Sequence, residues 1–202
     1  MTRTQKSLLV IFLVLMVDQV SKFIVKTNMM LGEEIAVLGD WFIIHFTEND
    51  GMAFGWDIPG SSGKLILTLF RIVAVTGIGF YLRFLIRQHA HVGLIICISL
   101  ILAGALGNII DSIFYGVIFN DSLYQVAEIF PEEGGYGTLL HGHVVDMFYF
   151  PIVSGQYPDW LPILKNQEFL FFRPVFNLAD SSISIGVILI LIFQQQFFKD
   201  LK

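Results

Sequence analysis

A single cysteine, Cys97, stands in the 202-residue chain, and it lies inside an apolar run. Neither an intramolecular disulfide nor a cysteine-built metal site is therefore available, and Cys97 reads as a small core filler. Charge is scarce as well. Asp, Glu, Lys and Arg make up 14% of the residues, and the 12 Lys and Arg are scattered against a formal net charge of −5. That excludes the clustered basic surface that nucleic-acid phosphates require. Internal repeats and low-complexity tracts are missing too. What fills the chain instead is apolar: 55% hydrophobic residues, 20 of them Phe, with a mean hydropathy of +0.72. An ordinary soluble domain does not have this composition, and lipids and peptides are the partners it points to.

Four stretches have the length, about 20 helical residues, that a hydrocarbon core demands: Ser7–Val25, Leu65–Arg87, Val92–Ile113 and Ala179–Phe198. The first carries Asp18 and Lys22 and is followed by no small-residue cleavage site, so it is expected to be a permanent span and not a removed signal peptide. Arg3 and Lys6 precede the first span, Arg83 and Arg87 close the second, and Lys199 and Lys202 follow the fourth. By the bias of basic residues to the inner side, both termini are expected in the cytoplasm. The two longer connections then face outward, and both lean acidic, with Glu33, Glu34, Asp40, Glu48, Asp50 and Asp57 in one and Asp121, Glu128, Glu132, Glu133 and Asp159 in the other. Within the first, Ile35–Phe46 is too short to span and rich in β-branched and aromatic residues, which predicts a small β-element. The second, Phe114 to Leu178, has no helical periodicity and is expected to pack on the outer surface or lie in the headgroup layer.

A carboxylate inside or beside a span is costly unless it meets a polar cavity or a partner, so each one is a functional candidate. Asp18, Lys22, Asn108 and Asp111 fall in the outward thirds of the first and third spans, and Asp146 and Asp180 flank the entrance to the fourth. Asn108 lies ~24 Å along its helix from Val92, near the outer boundary, so these polar groups share one depth. Paired carboxylates in a low-dielectric setting suit aspartic-protease chemistry, because two adjacent acids cannot both ionise cheaply and so share a proton. The ionised member takes a proton from water; the protonated one polarises the scissile carbonyl and then protonates the leaving amine, with no cofactor required. Asp180 opens a helix, where the dipole favours negative charge, and is the preferred ionised partner.

Simpler readings stand beside this one. Asp180 could serve only as a helix cap. Asp18 and Lys22, four residues apart, could neutralise each other while Lys22 reaches the interface by its long stem. Asn108 and Asp111 share a helix face, which fits an interhelical hydrogen bond as well as a substrate clamp. His141 and His143 near Asp146 are a weak metal signal, lacking ligand spacing. A function of another class, a carboxylate-lined transporter or channel subunit, would need acids at successive depths, whereas the inward halves of the spans are almost free of them.

Five separated segments resemble the motifs of lipoprotein signal peptidase, or signal peptidase II: Asp18-Gln19-Val20-Ser21-Lys22, Asn49-Asp50-Gly51-Met52-Ala53-Phe54-Gly55, Gly107-Asn108-Ile109-Ile110-Asp111, Val144-Val145-Asp146 and Phe176-Asn177-Leu178-Ala179-Asp180. The resemblance implies a single integral membrane domain over 1–202: an all-α polytopic protein of four transmembrane helices with a small outer β-cradle and an elaborated outer loop. It implies an aspartic endopeptidase of the bacterial inner membrane whose site faces the periplasm. Its substrates would be diacylglyceryl-modified prolipoproteins, cut on the amino side of the lipidated cysteine, and globomycin-like cyclic peptides would inhibit it. Carried over by position, Asp146 and Asp180 are the catalytic dyad, Asn49, Asn108, Asp111 and Asn177 line the site, and Asp18 and Lys22 support it. Three features depart from the pattern. Ser112 stands where the family usually has Arg after the third-helix Asp, with Arg173 the candidate to supply that cation. Met147 replaces Phe after Asp146. The stretches on either side of Asp146 are long, which suggests an extra outer flap.

Overall fold

The computed structural model describes residues 1–49, 61–151, 153–156, 168–171 and 174–199. Helix α1 (Arg3–Lys26) starts at a capping box in which Thr2 Oγ1 accepts from Gln5 N–H and the Gln5 side chain accepts from Thr2 N–H. Helix α2 covers Ser61–Arg87, and α3 covers Val92–Ile110 with His91 as its N-cap. These three are long and apolar enough to cross a membrane, α3 when its continuation to Ile118 is included. Leu8 and Phe12 on α1, and Phe70, Val73 and Phe80 on α2, stay exposed, as side chains in contact with lipid would be. Helix α3 is the central one, packed by α1, α2 and the later helix α5 (Leu178–Ile192).

Close approach between α3 and α5 depends on two glycines. A Cβ at Gly104 would lie 2.2 Å from the carbonyl oxygen of Ala179, and one at Gly186 would lie 2.8 Å from that of Cys97. Between apolar helices such small-residue contacts replace the hydrophobic drive that lipid removes. Cys97 is buried there, as core filler should be.

The fourth predicted span, 179–198, is not one continuous helix. α5 has 15 residues, short of a full span, and is capped at Phe193; a separate short helix α6 (Gln194–Phe197) follows. The break falls where the apolar run gives way to Gln194, Gln195 and Gln196, and it turns Phe197 onto the His91 ring, 5.1 Å between centroids.

The outer end of α3 changes its winding. Asp111–Tyr115 form a π-helical turn, which turns Asp111, Ser112 and Tyr115 inward, and a three-residue helix α4 (Gly116–Ile118) completes the element. The carbonyls at this end are satisfied by the following segment: Gly142 N–H donates to Ser112 O at 2.8 Å, Leu140 N–H to Ile113 O at 3.0 Å and Gly137 N–H to Gly116 O at 2.8 Å. Backbone must lie on backbone for this, and a Cβ at Gly142 would sit 2.0 Å from Asp111 O. The expected packing of the second connection against the rest of the molecule thus takes a specific form.

The predicted β-element is present as β1 (Glu34–Leu38) and β2 (Phe42–Asn49), but it belongs to a larger sheet. β3 (Val144–Tyr149) and β6 (Val175–Phe176) extend it to an antiparallel four-stranded sheet in the order β1-β2-β3-β6. The chain is therefore mostly helical, not all-α. β4 (Val153–Gln156) and β5 (Glu168–Phe171) pair separately in the long stretch after Asp146. Two apolar clusters bracket the molecule, one around Leu85, Leu94 and Ile98, the other around Phe46, Tyr115, Phe119, Val145 and Met147. Met147, 1% exposed, fills the second.

Candidate active site

Between the two apolar clusters lies the polar one, assembled from five elements. Lys22 on α1 is its centre and is fully buried. Its ammonium meets Asp18 at 3.0 Å, Asp111 at 2.8 Å and Asn108 Oδ1 at 2.9 Å, which uses all three of its hydrogens. The i,i+4 pair read from the sequence is real, but Lys22 does not extend to the interface; Asp111 on α3 holds it inside. Asp18 also accepts from Ala179 N–H at 2.9 Å, joining α1 to the start of α5. Asp111 is held further by Gln19 Nε2 at 2.9 Å and faces Val145 N–H at 3.4 Å. Asp111 thus ties α3 to α1.

A chain of amides leads from this centre to the remaining two acids. Asn108 Nδ2 donates to Asp180 Oδ1 at 2.8 Å, and Asn177 Nδ2 donates to Asp146 Oδ1 at 2.7 Å and approaches Asn108 Oδ1 at 3.0 Å. Asn177 is the N-cap of α5: its Oδ1 accepts from Asp180 N–H at 2.8 Å, and Asp180 reaches back toward Asn177 N–H in a capping box. Asp180 therefore both caps its helix and faces the cluster. Asp146 projects from β3 opposite Thr47 of β2, and Asn49 at the end of β2 donates to its Oδ2. The eight site residues carried over by position (Asp18, Lys22, Asn49, Asn108, Asp111, Asp146, Asn177 and Asp180) are all in this one network.

Burial pushes the Asp146 carboxyl up to about 7, and the neighbouring Asp180 adds to the rise. The Lys22 charge and the bonds from Asn49 and Asn177 oppose it without cancelling it. Asp146 is thereby suited to hold a proton near neutral pH.

Sequence reasoning missed Gln19, which bridges Asp18, Gly107 O and Asp111. It also missed Arg71, whose Nη1 lies 3.5 Å from Ser112 Oγ. A signal for Arg71 existed: a guanidinium ten residues into an apolar span is a functional candidate by default. Residues 50–55 of the outer-loop motif, Asp57, Asp159, Arg173 and Lys202 lie outside the described residues. His143 stacks beside Tyr136, and His141 contacts Thr138 at 3.0 Å.

A family model for signal peptidase (SPase) II matches residues 10–196. The chain belongs to the signal peptidase II family. A lipoprotein signal peptidase of Porphyromonas gingivalis is 55% identical over 183 residues, covering 90% of this chain and 79% of that protein. One from Amoebophilus asiaticus is 39% identical over 183 residues, covering 89% and 73% respectively. A solved bacterial membrane enzyme is similar with a TM-score of 0.61 at 27% identity, over 94% of this chain and 87% of that one. Signal peptidase II membership removes the case for a carboxylate-lined transporter.

Proposed function

We propose that Asp146 and Asp180 are the catalytic pair of this lipoprotein signal peptidase, an aspartic peptidase that processes prolipoproteins. One observation carries the assignment. Of the four acids in the network, Asp18 and Asp111 pair directly with Lys22, whose hydrogens are then spent, while Asp146 and Asp180 are joined through amides. Asp146 holds the shared proton, because burial favours its neutral form. Asp180, in the first turn of α5, carries the negative charge that the helix dipole stabilises.

In the reaction Asp180 takes a proton from a water as its oxygen attacks the scissile carbonyl carbon. Asp146 donates a hydrogen bond to the carbonyl oxygen and stabilises the charge that develops there. Collapse of the tetrahedral intermediate breaks the C–N bond, and Asp146 delivers its proton to the departing amine. The proton gained by Asp180 then returns to Asp146, and the pair is restored. Asn108 and Asn177 orient the two carboxyls, and Asn49 fixes Asp146 from the cradle side.

The bond cut is the one on the amino side of the diacylglyceryl-modified cysteine, at the outer face of the bacterial inner membrane. Substrate acyl chains rest among membrane lipids, and globomycin-like cyclic peptides compete for the same site. Incubating the purified protein with a diacylglyceryl-modified prolipoprotein tests this reading. A mature product whose intact mass begins at the lipidated cysteine is expected; an uncut precursor, or a product starting elsewhere, contradicts it.

A further inference from the structure

The site's hydrogen-bond donors are largely committed. Lys22 gives its three hydrogens to Asp18, Asp111 and Asn108. The amide nitrogens of Asn49, Asn108 and Asn177 are turned onto Asp146, Asp180 and their neighbours. A peptide lying across the pair presents carbonyl oxygens, which need donors. A donor-rich group near the pair is Arg71, on α2. α2 packs against α3, and the guanidinium crosses to α3 at the π-helical turn, where Nη1 lies 3.5 Å from Ser112 Oγ. It acts electrostatically on Asp180, Asp146 and Asp111. A guanidinium has five N–H groups in a planar fork, enough to face carboxylates on one edge and a carbonyl on another.

Ser112 makes this arrangement possible. Its side chain is small and buried, and its hydroxyl donates to Asn108 O at 2.9 Å while accepting from Arg71. The residue after Asp111 thus brings no charge of its own, and the charge arrives there from α2. Arg173, the substitute suggested by sequence order, lies outside the described residues.

We propose that Arg71 is the substrate-positioning cation of this peptidase, its guanidinium donating to a backbone carbonyl of the peptide held across Asp146 and Asp180. The proposal rests on that pair being the catalytic one. Arg71 is a binding group for the ground state and, where the carbonyl is the scissile one, for the charge that develops on it.

The test is a set of steady-state assays on a diacylglyceryl-modified prolipoprotein with Arg71→Ala, Arg71→Gln, Ser112→Arg, the double variant Arg71→Ala/Ser112→Arg, Asp146→Asn and Asp180→Asn. Arg71→Ala is expected to lower kcat/KM by about tenfold or more, the usual size for loss of a charged hydrogen bond. Its alkaline pH limb should move upward, because removing a cation beside carboxylates makes them harder to ionise. Returning the cation from α3 in the double variant should recover several-fold of the loss, whereas Ser112→Arg alone, with two cations crowded together, should reduce activity. A structural role for Arg71 would move neither the pH limb nor the rescue. Should Arg71→Ala fail to fold, the charge-free Arg71→Gln carries the same readouts. Dead Asp variants with Arg71→Ala or Arg71→Gln within about twofold of the parent, or a loss without limb shift and without rescue, overturn the role of Arg71 alone. Cleavage by Asp146→Asn or Asp180→Asn overturns the pair itself.

Discussion

Four carboxylates share the cluster with one ammonium, and their division into two that pair with it directly and two that do not is the chemical content of the site. Lys22 holds Asp18 and Asp111 because all three are fully buried, where an unpaired charge would cost several kcal/mol. Asp146 takes the other course and favours its proton. Its carboxyl rises from the ordinary 3.8 to about 7, so the folded chain binds a proton that the unfolded chain releases over that interval. The resulting stability is fully present below about pH 4 and is lost as pH climbs through about 7. The apparent Tm in detergent is accordingly expected to fall between pH 5 and pH 8, with a shallower fall in Asp146→Asn; equal slopes in both proteins would refute the raised carboxyl. Cleavage should also decline above about pH 7 as Asp146 loses the proton it must donate. The acids, Lys22 and Asn108 could be read from sequence because polar residues in or beside spans are expensive; Asn49 and Asn177 came only from the family resemblance. Arg71 could not be joined to them that way, since no spacing rule connects a residue on α2 to Ser112 on α3.

At the scale of elements, α1, α2 and α3 were legible because each is a largely apolar run of helical length. The sheet was legible only in part. Local pattern identified the first strands, but the pairing of Thr47 with Asp146 joins segments of sequence far apart, and Val175–Phe176 is too short to register as a strand. The π-helical turn left no sequence mark either; in the fold Gly142 packs against it at Asp111 O. The shortness of α5 was hidden because Phe197 and Phe198 continue the apolar count past the glutamines. This helix places Asp180, and its seat on α3 is set by Gly104. A side chain there must displace the backbone at Ala179, next to Asp180, so Gly104→Val is expected to destabilise the protein by roughly 1–3 kcal/mol or more. The measurement is thermal unfolding in detergent, with cleavage falling alongside. An unchanged Tm would mean that α5 does not seat on this glycine.

Across the whole molecule, Arg3, Lys6, Arg83 and Arg87 lie at the helix ends away from the carboxylate cluster, while Lys22, Lys26, Lys64 and Arg71 lie toward it. Thr4 and Ser7 at the start of α1 line the same cavity as Arg83 and Arg87 at the end of α2, and Phe197 lies against His91 at the start of α3. The orientation inferred from charge puts this end in the cytoplasm. With Cys97 changed to Ser, cysteines introduced at Ser61 and Ser154 should react with a membrane-impermeant maleimide added to intact spheroplasts, and one at Gln88 should react only after lysis. The reverse pattern would place the cluster out of reach of a translocated precursor. The central claim is that Asp146 and Asp180 together perform the cleavage, and the most direct measurement is the rate at which purified Asp146→Asn and Asp180→Asn cut a diacylglyceryl-modified prolipoprotein. Asn keeps the size and hydrogen bonding of each group but cannot exchange a proton, so each variant is expected to remain folded and to lose at least ~10²-fold in rate. A folded variant of either kind that cleaves at more than about a tenth of the parent rate would contradict the assignment.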